Sequence, residues 1–269
     1  MTPTFPAPAW LVGCGNMAGA MVEGWRAAGV DLSSVTVIRP SGRPVNGVRT
    51  VTAYPDEVPR FVMLGFKPQK LDEVAPALAP RVGEDATLVS MLAGVGATSL
   101  RDRFPGARAI VRVMPNLPVA QRQGVTALYS DDDDDQARAL IAALMTALGL
   151  APWCADEAAF SAIGAVAGSG PAYVARFAAA LATGGERLGL DADLAMAIAV
   201  QTLVGTGAMT DAGGEGMADL ARRVASPNGT TEQGLAVLDA DNGLQPLVDR
   251  MLAAAIRRGE EMARAAAAN

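Results

Sequence analysis

The sequence predicts an α/β domain built on a parallel sheet, followed by an all-helical domain. Over the first half of the chain, short apolar runs alternate with helical segments, which is the pattern of strands joined by crossover helices. After about residue 156 the strand signals end, and the following helices are rich in Ala and Gly. Hydrophobic residues make up 51% of the chain and aromatic residues only 4%, which suits closely packed helices. We therefore expect two domains, 1–156 and 157–269.

Six strands are predicted in the first domain. They lie near Trp10–Val12, Val35–Arg39, Val48–Val51, Phe61–Phe66, Thr87–Met91 and Ala109–Val113. A helix is expected over Asn16–Ala28, with Gly29 ending it in a left-handed conformation. Five consecutive aspartates at 131–135 precede a helix around 136–148. We interpret them as a solvated loop whose charges favour the helix N-terminus, with a metal site as the alternative.

The second domain contains one predicted helix start and several predicted breaks. The segment 169–171, Ser-Gly-Pro, places a capping hydroxyl and a proline at a helix start. Breaks are expected at 184–185, 213–214 and 241–243. Leu194–Thr210 is apolar and almost long enough to span a membrane, but polar residues interrupt it and aspartates flank it. We interpret it as a helix buried in protein, and its small residues suit a subunit interface.

Composition excludes several classes of function. The net charge of −6 argues against nucleic acid or an anionic membrane as a partner. The chain has no histidine, which excludes imidazole bases, Ser-His-Asp triads and His-ligated metals. Cys14 and Cys154 are too few for a disulfide framework or a cysteine zinc site. With no signal-peptide pattern in residues 1–8, these features predict a cytoplasmic protein.

A Gly-rich turn near the N-terminus indicates a dinucleotide site. Residues 13–18, Gly-Cys-Gly-Asn-Met-Ala, follow an apolar strand, open a helix and have the G-x-G-x-x-A spacing of Rossmann-type domains. A tight turn without a ligand is the alternative. The second strand ends in Arg39, where NAD sites usually carry an acidic residue, and Ser41 and Arg43 follow it. This pattern favours the 2′-phosphate of NADPH, with NADH possible and an ordinary solvated surface as the alternative.

Three further segments follow strands, at the edge where ligands bind in open parallel sheets. They are 66–69, 90–94 and 114–116. Lys67 and Lys70 are the only lysines of the chain, which indicates a function for Lys67 at its strand end, with a solvated side chain as the alternative. The plain interpretation of 114–116 is a turn in which Asn116 bonds its own backbone.

The segment 226–231, Ser-Pro-Asn-Gly-Thr-Thr, places backbone N–H groups and three hydroxyls at a predicted helix start. Such a helix end binds a small anion, and a carboxylate needs no arginine there. The alternative is a structural turn in which Thr230 or Thr231 caps the helix.

Taken together and in this order, these segments resemble the pyrroline-5-carboxylate reductases, which reduce a cyclic imine to proline in the last step of proline biosynthesis. The resemblance rests on residues 13–17, 67–69, 90–95, 112–116, 168–173 and 226–231. It implies a Rossmann-type domain that carries NADPH and a helical domain through which subunits dimerise and assemble into larger rings.

The resemblance also implies roles for individual residues. With Arg39 added from the strand-end argument, the expected cofactor residues are Gly13, Cys14, Gly15, Asn16, Met17, Ala18, Arg39, Ser41, Gly65, Phe66, Lys67, Pro68, Leu92 and Ala93. The expected substrate residues are Ser226, Asn228, Gly229, Thr230 and Thr231. Thr231 matches the threonine that bonds the imine nitrogen, which makes it the residue nearest to catalysis.

Three residues depart from the family pattern. Asn228 stands where glycine is usual, Leu117 where threonine is common, and Phe66 where a smaller valine is common. Two alternatives therefore stay open: a reductase of a related cyclic imine, such as the six-membered homologue, and an NADPH-binding regulatory protein without turnover.

Overall fold

The computed structural model describes residues 2–214 and 216–267, without the side chains of 211–213 and 265–267. By packing, the chain divides into two compact units. The sheet unit comprises the residues up to Ser169 and the described residues from Ala255 onward, and the helical unit comprises Gly170–Ala254. The domain limits 1–156 and 157–269 stay a prediction, because packing groups residues 157–169 with the sheet.

One sheet of eight strands forms the centre of the sheet unit, in the order β3-β2-β1-β4-β5-β6-β7-β8. The strands are β1 (Ala9–Val12), β2 (Val35–Ile38), β3 (Arg49–Val51), β4 (Phe61–Leu64), β5 (Thr87–Ser90), β6 (Ala109–Pro115), β7 (Gly124–Tyr129) and β8 (Gly149–Leu150). The first six run parallel, whereas β7 is antiparallel to β6. The parallel α/β prediction is confirmed, and the six predicted strands lie within a few residues of those observed. β7 and β8 were not predicted, because an antiparallel edge strand breaks the alternation of strand and crossover helix.

Helices cover both faces of this sheet. They are α1 (Asn16–Ala27), α2 (Leu71–Leu78), α3 (Ala97–Arg103) and α4 (Asp135–Thr146). On one face, Trp25 of α1 is fully buried and its Nε1 donates to the Leu144 carbonyl of α4 at 2.8 Å. On the other, Leu78 and Leu100 pack in a second buried cluster. The inner strands are buried on both faces, as their continuous apolar runs require.

The termini of two of these helices agree with the sequence. Gly29, just beyond α1, has a φ of +74°, which confirms the left-handed stop. The aspartate run caps α4, because the Asp134 carboxylate accepts from the Ala137 N–H at 2.9 Å. Asp132 pairs with Arg101 at 2.7 Å. These contacts confirm the interpretation of the run as a helix-start loop.

From Glu157 onward, all the named elements of the described chain are helices. They are α5 (Glu157–Ile163), α6 (Gly170–Arg187), α7 (Ala192–Gly213), α8 (Met217–Val224), α9 (Thr230–Leu238) and α10 (Leu244–Ala267). A π-helical segment, Gly164–Gly168, joins α5 to α6. The predicted helix start at 169–171 is confirmed, because α6 begins at Gly170 with Pro171 as its second residue, but Ser169 has the αR backbone of the preceding segment instead of the extended backbone of an N-cap. The break predicted at 184–185 is wrong, since α6 continues to Arg187 and the chain turns at Gly189, where φ is +98°.

Little of the helical unit is buried in a single chain. Its apolar cluster consists of Ala182, Ala195 and Ala199. By length and composition alone, Glu157–Arg187 and Ala192–Thr210 could each cross a membrane, and 11% of each apolar window is buried. The expectation that 194–210 is buried in protein is therefore not met within one chain.

Candidate active site

The principal cleft of the sheet unit has a volume of about 870 Å³ and lies at the carboxyl ends of β1, β4, β5 and β6. The order of the strands reverses between β1 and β4, which is where open parallel sheets bind their ligands. All fourteen predicted cofactor residues line this cleft. The structure thus brings together turns that are up to 80 residues apart in the sequence, from Gly13 to Ala93.

The glycines of the first turn meet two different constraints. Gly13 has a φ of +83°, and a Cβ added to Gly65 would lie 2.6 Å from the Gly13 carbonyl oxygen. The turns after β1 and β4 therefore touch through their backbones. Gly15 is different, because a Cβ there would meet nothing within 4 Å. Its small size keeps open the space in front of α1.

The start of α1 provides backbone donors to this open space. Gly15 is the N-cap residue and makes no side-chain cap, and the first turn has no acidic residue. Among the described residues, no acceptor is paired with the N–H groups of Asn16, Met17 and Ala18. Free donors and the positive end of the helix dipole fit the pyrophosphate of a dinucleotide.

Positive side chains and a neutral thiol complete the turn. Lys67 and Arg39 line the cleft. Burial raises the pKa of the Cys14 thiol, and the nearby Arg39 guanidinium offsets this only in part. The thiol therefore stays protonated at neutral pH and does not repel a phosphate. After β5, the buried Ser90 Oγ accepts from the Leu92 N–H at 3.3 Å and so shapes the turn that carries Leu92 and Ala93.

Arg112 and Phe160 also line the cleft but were not assigned a role from the sequence. Arg112 is buried on β6, pairs with Glu157 at the start of α5 and lies 4.5 Å from the centroid of the Phe160 ring. A charged residue inside an apolar strand was the available signal for Arg112. Phe160 had none, because its contact with Arg112 spans 48 residues and depends on the fold.

Behind Phe160, outside the lining of the cleft, lies a hydrogen-bonded tyrosine. Tyr129 packs near Phe160, with ring centroids 6.2 Å apart, and its hydroxyl donates to Asp131. This hydrogen bond, helped by burial and by nearby carboxylates, raises the pKa of Tyr129 to about 12. Tyr129 is therefore a structural donor at neutral pH and not a proton source.

Asn116 has a different role from the one predicted. It is buried, its Oδ1 accepts from the Val125 N–H at 2.8 Å, and its Nδ2 donates to the Ala167 carbonyl at 3.0 Å. The prediction that it bonds its own backbone is wrong. Asn116 instead ties the end of β6 to β7 and to the π-helical segment, so it positions the cleft wall.

In the helical unit, residues 226–229 form a tight turn. The Gly229 N–H donates to the Ser226 carbonyl at 2.9 Å, and Asn228 has a φ of +57°. Proline at the second position and a left-handed third residue are the features of a type II turn, so Asn228 replaces the usual glycine without loss of the turn. A Cβ on Gly229 would collide with the Ser226 Oγ, so glycine is required there.

The turn leads directly into α9. Gly229 is its N-cap without a side-chain cap, so the alternative in which Thr230 or Thr231 caps the helix is not what the structure shows. The Glu232 carboxylate accepts from the Asn228 N–H at 2.7 Å. The N–H groups of Thr230 and Thr231 have no partner among the residues that the structure describes. They remain available to an anion.

Thr231 borders a small apolar cavity of about 260 Å³ within the helical unit. Met209 of α7, Leu220 of α8 and Leu235 of α9 are among the residues that line it. A hydroxyl and two free N–H groups beside an apolar wall suit a small ligand that has both a carboxylate and a hydrocarbon part.

The fold and these two sites define an oxidoreductase of the dinucleotide-binding class, with a Rossmann-type sheet followed by a helical domain. Residues 157–262 match the family model described as pyrroline-5-carboxylate reductase dimerisation, which supports self-association. The pyrroline-5-carboxylate reductase of Pseudomonas aeruginosa is 36% identical, with 94% of this chain and 96% of the relative covered. That of Pisum sativum is 34% identical over 93% and 94%.

Solved structures agree. A pyrroline-5-carboxylate reductase from Coxiella burnetii has a TM-score of 0.88 and 31% identity, covering 95% of this chain and 98% of that one. The chain belongs to the pyrroline-5-carboxylate reductase family. The predicted all-helical dimerisation domain is thereby confirmed as a feature of the family.

Proposed function

We propose that this protein reduces 1-pyrroline-5-carboxylate to L-proline with NADPH, the last step of proline biosynthesis. The observation that carries the proposal is one chain with both a dinucleotide cleft and an anion-binding helix start. The two relatives of this name reported above match the chain over more than nine-tenths of its length.

The cleft residues fit the cofactor. The N–H groups of residues 16–18 would hold the pyrophosphate, and Gly15 gives it room to approach. Arg39 and Ser41 would contact the 2′-phosphate, and Leu92 and Ala93 would border the bound cofactor. Bound NADPH supplies the hydride.

The helix start of α9 would hold the substrate. The N–H groups of Thr230 and Thr231 and the Ser226 hydroxyl would bind the carboxylate, while Asn228 and Gly229 form the turn that presents them. A protonated imine is already electrophilic, so its N–H needs only an acceptor, for which we assign the Thr231 hydroxyl. The imine carbon gains a hydride and the nitrogen keeps its proton, so no side-chain acid is required.

The proposal includes the assembly and the location. We assign the α6 and α7 region to a homodimer interface, from which larger rings would be built. We place the reaction in the cytoplasm, which suits the two free cysteines Cys14 and Cys154.

The first test is NADPH oxidation by the purified protein with 1-pyrroline-5-carboxylate. The six-membered homologue and NADH are measured beside it. Turnover of the five-membered imine is expected. Preference for the larger ring would instead implicate Phe66, Leu117 and Asn228, and NADPH binding without any turnover would support the regulatory alternative.

Replacement of Thr231 by Ala should lower kcat by about 10- to 100-fold, the cost of one hydrogen bond to a charged group. The Kd for NADPH should stay unchanged, because Thr231 lies outside the sheet unit. Steady-state kinetics and NADPH titration measure the two effects. Thr231→Ser is the matched control and should retain most activity, whereas equal loss of turnover and NADPH binding would remove Thr231 from its role.

A further inference from the structure

A second cavity, of about 480 Å³, adjoins the principal cleft. The two share Cys14, Gly15, Asn16 and Arg39. One wall is the outer face of α1, which adds Glu23 and Arg26, and the other is the loop after β2, which adds Arg43. We call it the arginine cavity.

The three guanidinium groups of this cavity are unpaired. Among the described residues, Arg26, Arg39 and Arg43 form no ion pair and no side-chain hydrogen bond, whereas several arginines elsewhere on the sheet unit pair with carboxylates. Among these paired arginines are Arg101, Arg103, Arg108 and Arg112. Glu23 is the one carboxylate of the lining, so the lining side chains carry a net charge of about +2 at neutral pH. A multiply charged anion suits such a cavity.

Arg26 reaches this cavity from a helix that the sequence argument for Arg39 does not include. A Cβ added at Gly47 would lie 3.6 Å from the Arg26 Cδ and 3.8 Å from its Nη1. The side chain therefore extends from the last turn of α1 to the loop after β2. Arg26 also interacts favourably with the negative end of the helix dipole, because it lies in the last turn of α1, and this stabilisation would not depend on a ligand.

We infer that Arg26 is a specificity residue for the 2′-phosphate of NADPH, acting from α1 together with Arg39 and Arg43 on the opposite wall. The inference rests on the proposed function and extends it. Three guanidinium groups from two elements surround a phosphate dianion better than one strand-end arginine, since each adds a charge-assisted hydrogen bond. NADH, which has a hydroxyl at this position, gains nothing from Arg26.

Calorimetric titration with adenosine 2′,5′-bisphosphate and with AMP tests this without turnover. Arg26→Gln should weaken binding of the bisphosphate by about tenfold and leave AMP unchanged. Glu23→Gln should strengthen binding of the bisphosphate, because it removes the negative charge of the same cavity. Arg60→Gln is the matched control, because Arg60 is an exposed arginine outside the cavity lining. It should change the Kd of neither ligand.

Equal weakening of both ligands by Arg26→Gln, or no weakening of either, would overturn the inference. The kcat/KM ratio of NADPH to NADH should fall by a similar factor in this variant. If the wild type reduces the imine and the ratio stays constant, the inference fails and the proposed function stands. If binding of the bisphosphate requires Arg26 but no imine is reduced, the proposed function fails and the specificity role of Arg26 stands.

Discussion

The sheet unit buries most of its large apolar side chains, whereas the helical unit leaves many of them exposed. In the sheet unit, the inner strands and the helix faces above them are buried in two clusters of large side chains. In the helical unit, the buried cluster consists of three alanines. Large apolar side chains stay exposed along α6 and α7, among them Phe177, Leu181, Ile198, Val200 and Val204.

This difference shows that only the sheet unit supplies a complete core from its own residues. A helix that is apolar on all sides requires burial in protein or in a membrane. The match of residues 157–262 to a dimerisation model favours protein. We therefore expect the partner copy to complete the core of the helical unit.

The largest effect is expected from a charge placed on α7. Val204 is 61% exposed in the single chain, and Val204→Glu should weaken self-association by about 100-fold or more, since an unpaired charge buried in an interface costs about 3 kcal/mol. Light scattering after size exclusion measures the mass.

Val58→Glu is the control for this prediction, because Val58 is also a valine and is 66% exposed, but lies in the sheet unit. It should leave the mass unchanged. An unchanged mass for Val204→Glu as well would remove α7 from the interface. It would also contradict the expectation that a partner copy covers the apolar surface of the helical unit.

An intermediate effect is expected from glycine substitutions in the two units. A Cβ on Gly24 of α1 would collide with the Val119 carbonyl and with the Leu148 side chain, so Gly24→Ala should reduce the free energy of unfolding by about 1–3 kcal/mol. Urea denaturation measures it. A fully stable Gly24→Ala protein would contradict the tight packing of the sheet unit.

The matching position in the helical unit is Gly205 of α7, where a Cβ would meet nothing within 4 Å. Gly205→Ala should be neutral or should stabilise by up to about 1 kcal/mol through helix propensity. A clear loss of stability would instead indicate that the partner's backbone packs against Gly205, which sharpens the comparison.

The smallest effect is expected at the cap of α4. Asp134→Ala should cost about 1 kcal/mol at neutral pH, because the Ala137 N–H loses its acceptor. That N–H and the Arg108 guanidinium lower the pKa of Asp134 below its ordinary value. The contribution is therefore complete above about pH 4 and is lost as the pH falls through the lowered folded-state pKa.

Thermal unfolding of wild type and Asp134→Ala at neutral pH and near pH 2 measures this difference. It should shrink at the lower pH. Asp134→Asn keeps a capping oxygen but loses the charge that pairs with Arg108, so its stability should lie between those of wild type and Asp134→Ala at neutral pH. A difference that stays constant with pH would show that the carboxylate charge plays no part.

The lining of the principal cleft was predictable because it depends on strand ends, which apolar periodicity reveals. Gly13, Lys67 and Leu92 could be assigned to one edge before any contact was known. Phe160 and the Asn116 contacts could not, since both depend on which distant segments the fold brings together. The sequence predicted that 194–210 is buried in protein, and in the single chain it is mostly exposed. The reason is related: an apolar sequence does not tell whether its own chain or another covers it.

The three glycines of the principal cleft are under different structural constraints. A side chain at Gly13 or Gly65 would collide with the backbone of the other residue. A substitution at either position should therefore impair folding, whether or not a ligand binds. Gly15 faces open space, and only a ligand forbids a side chain there. A descendant released from selection for dinucleotide binding would thus be free to replace Gly15 while retaining Gly13 and Gly65. Position 15 is the place where loss of the activity would first become visible in the sequences of a lineage.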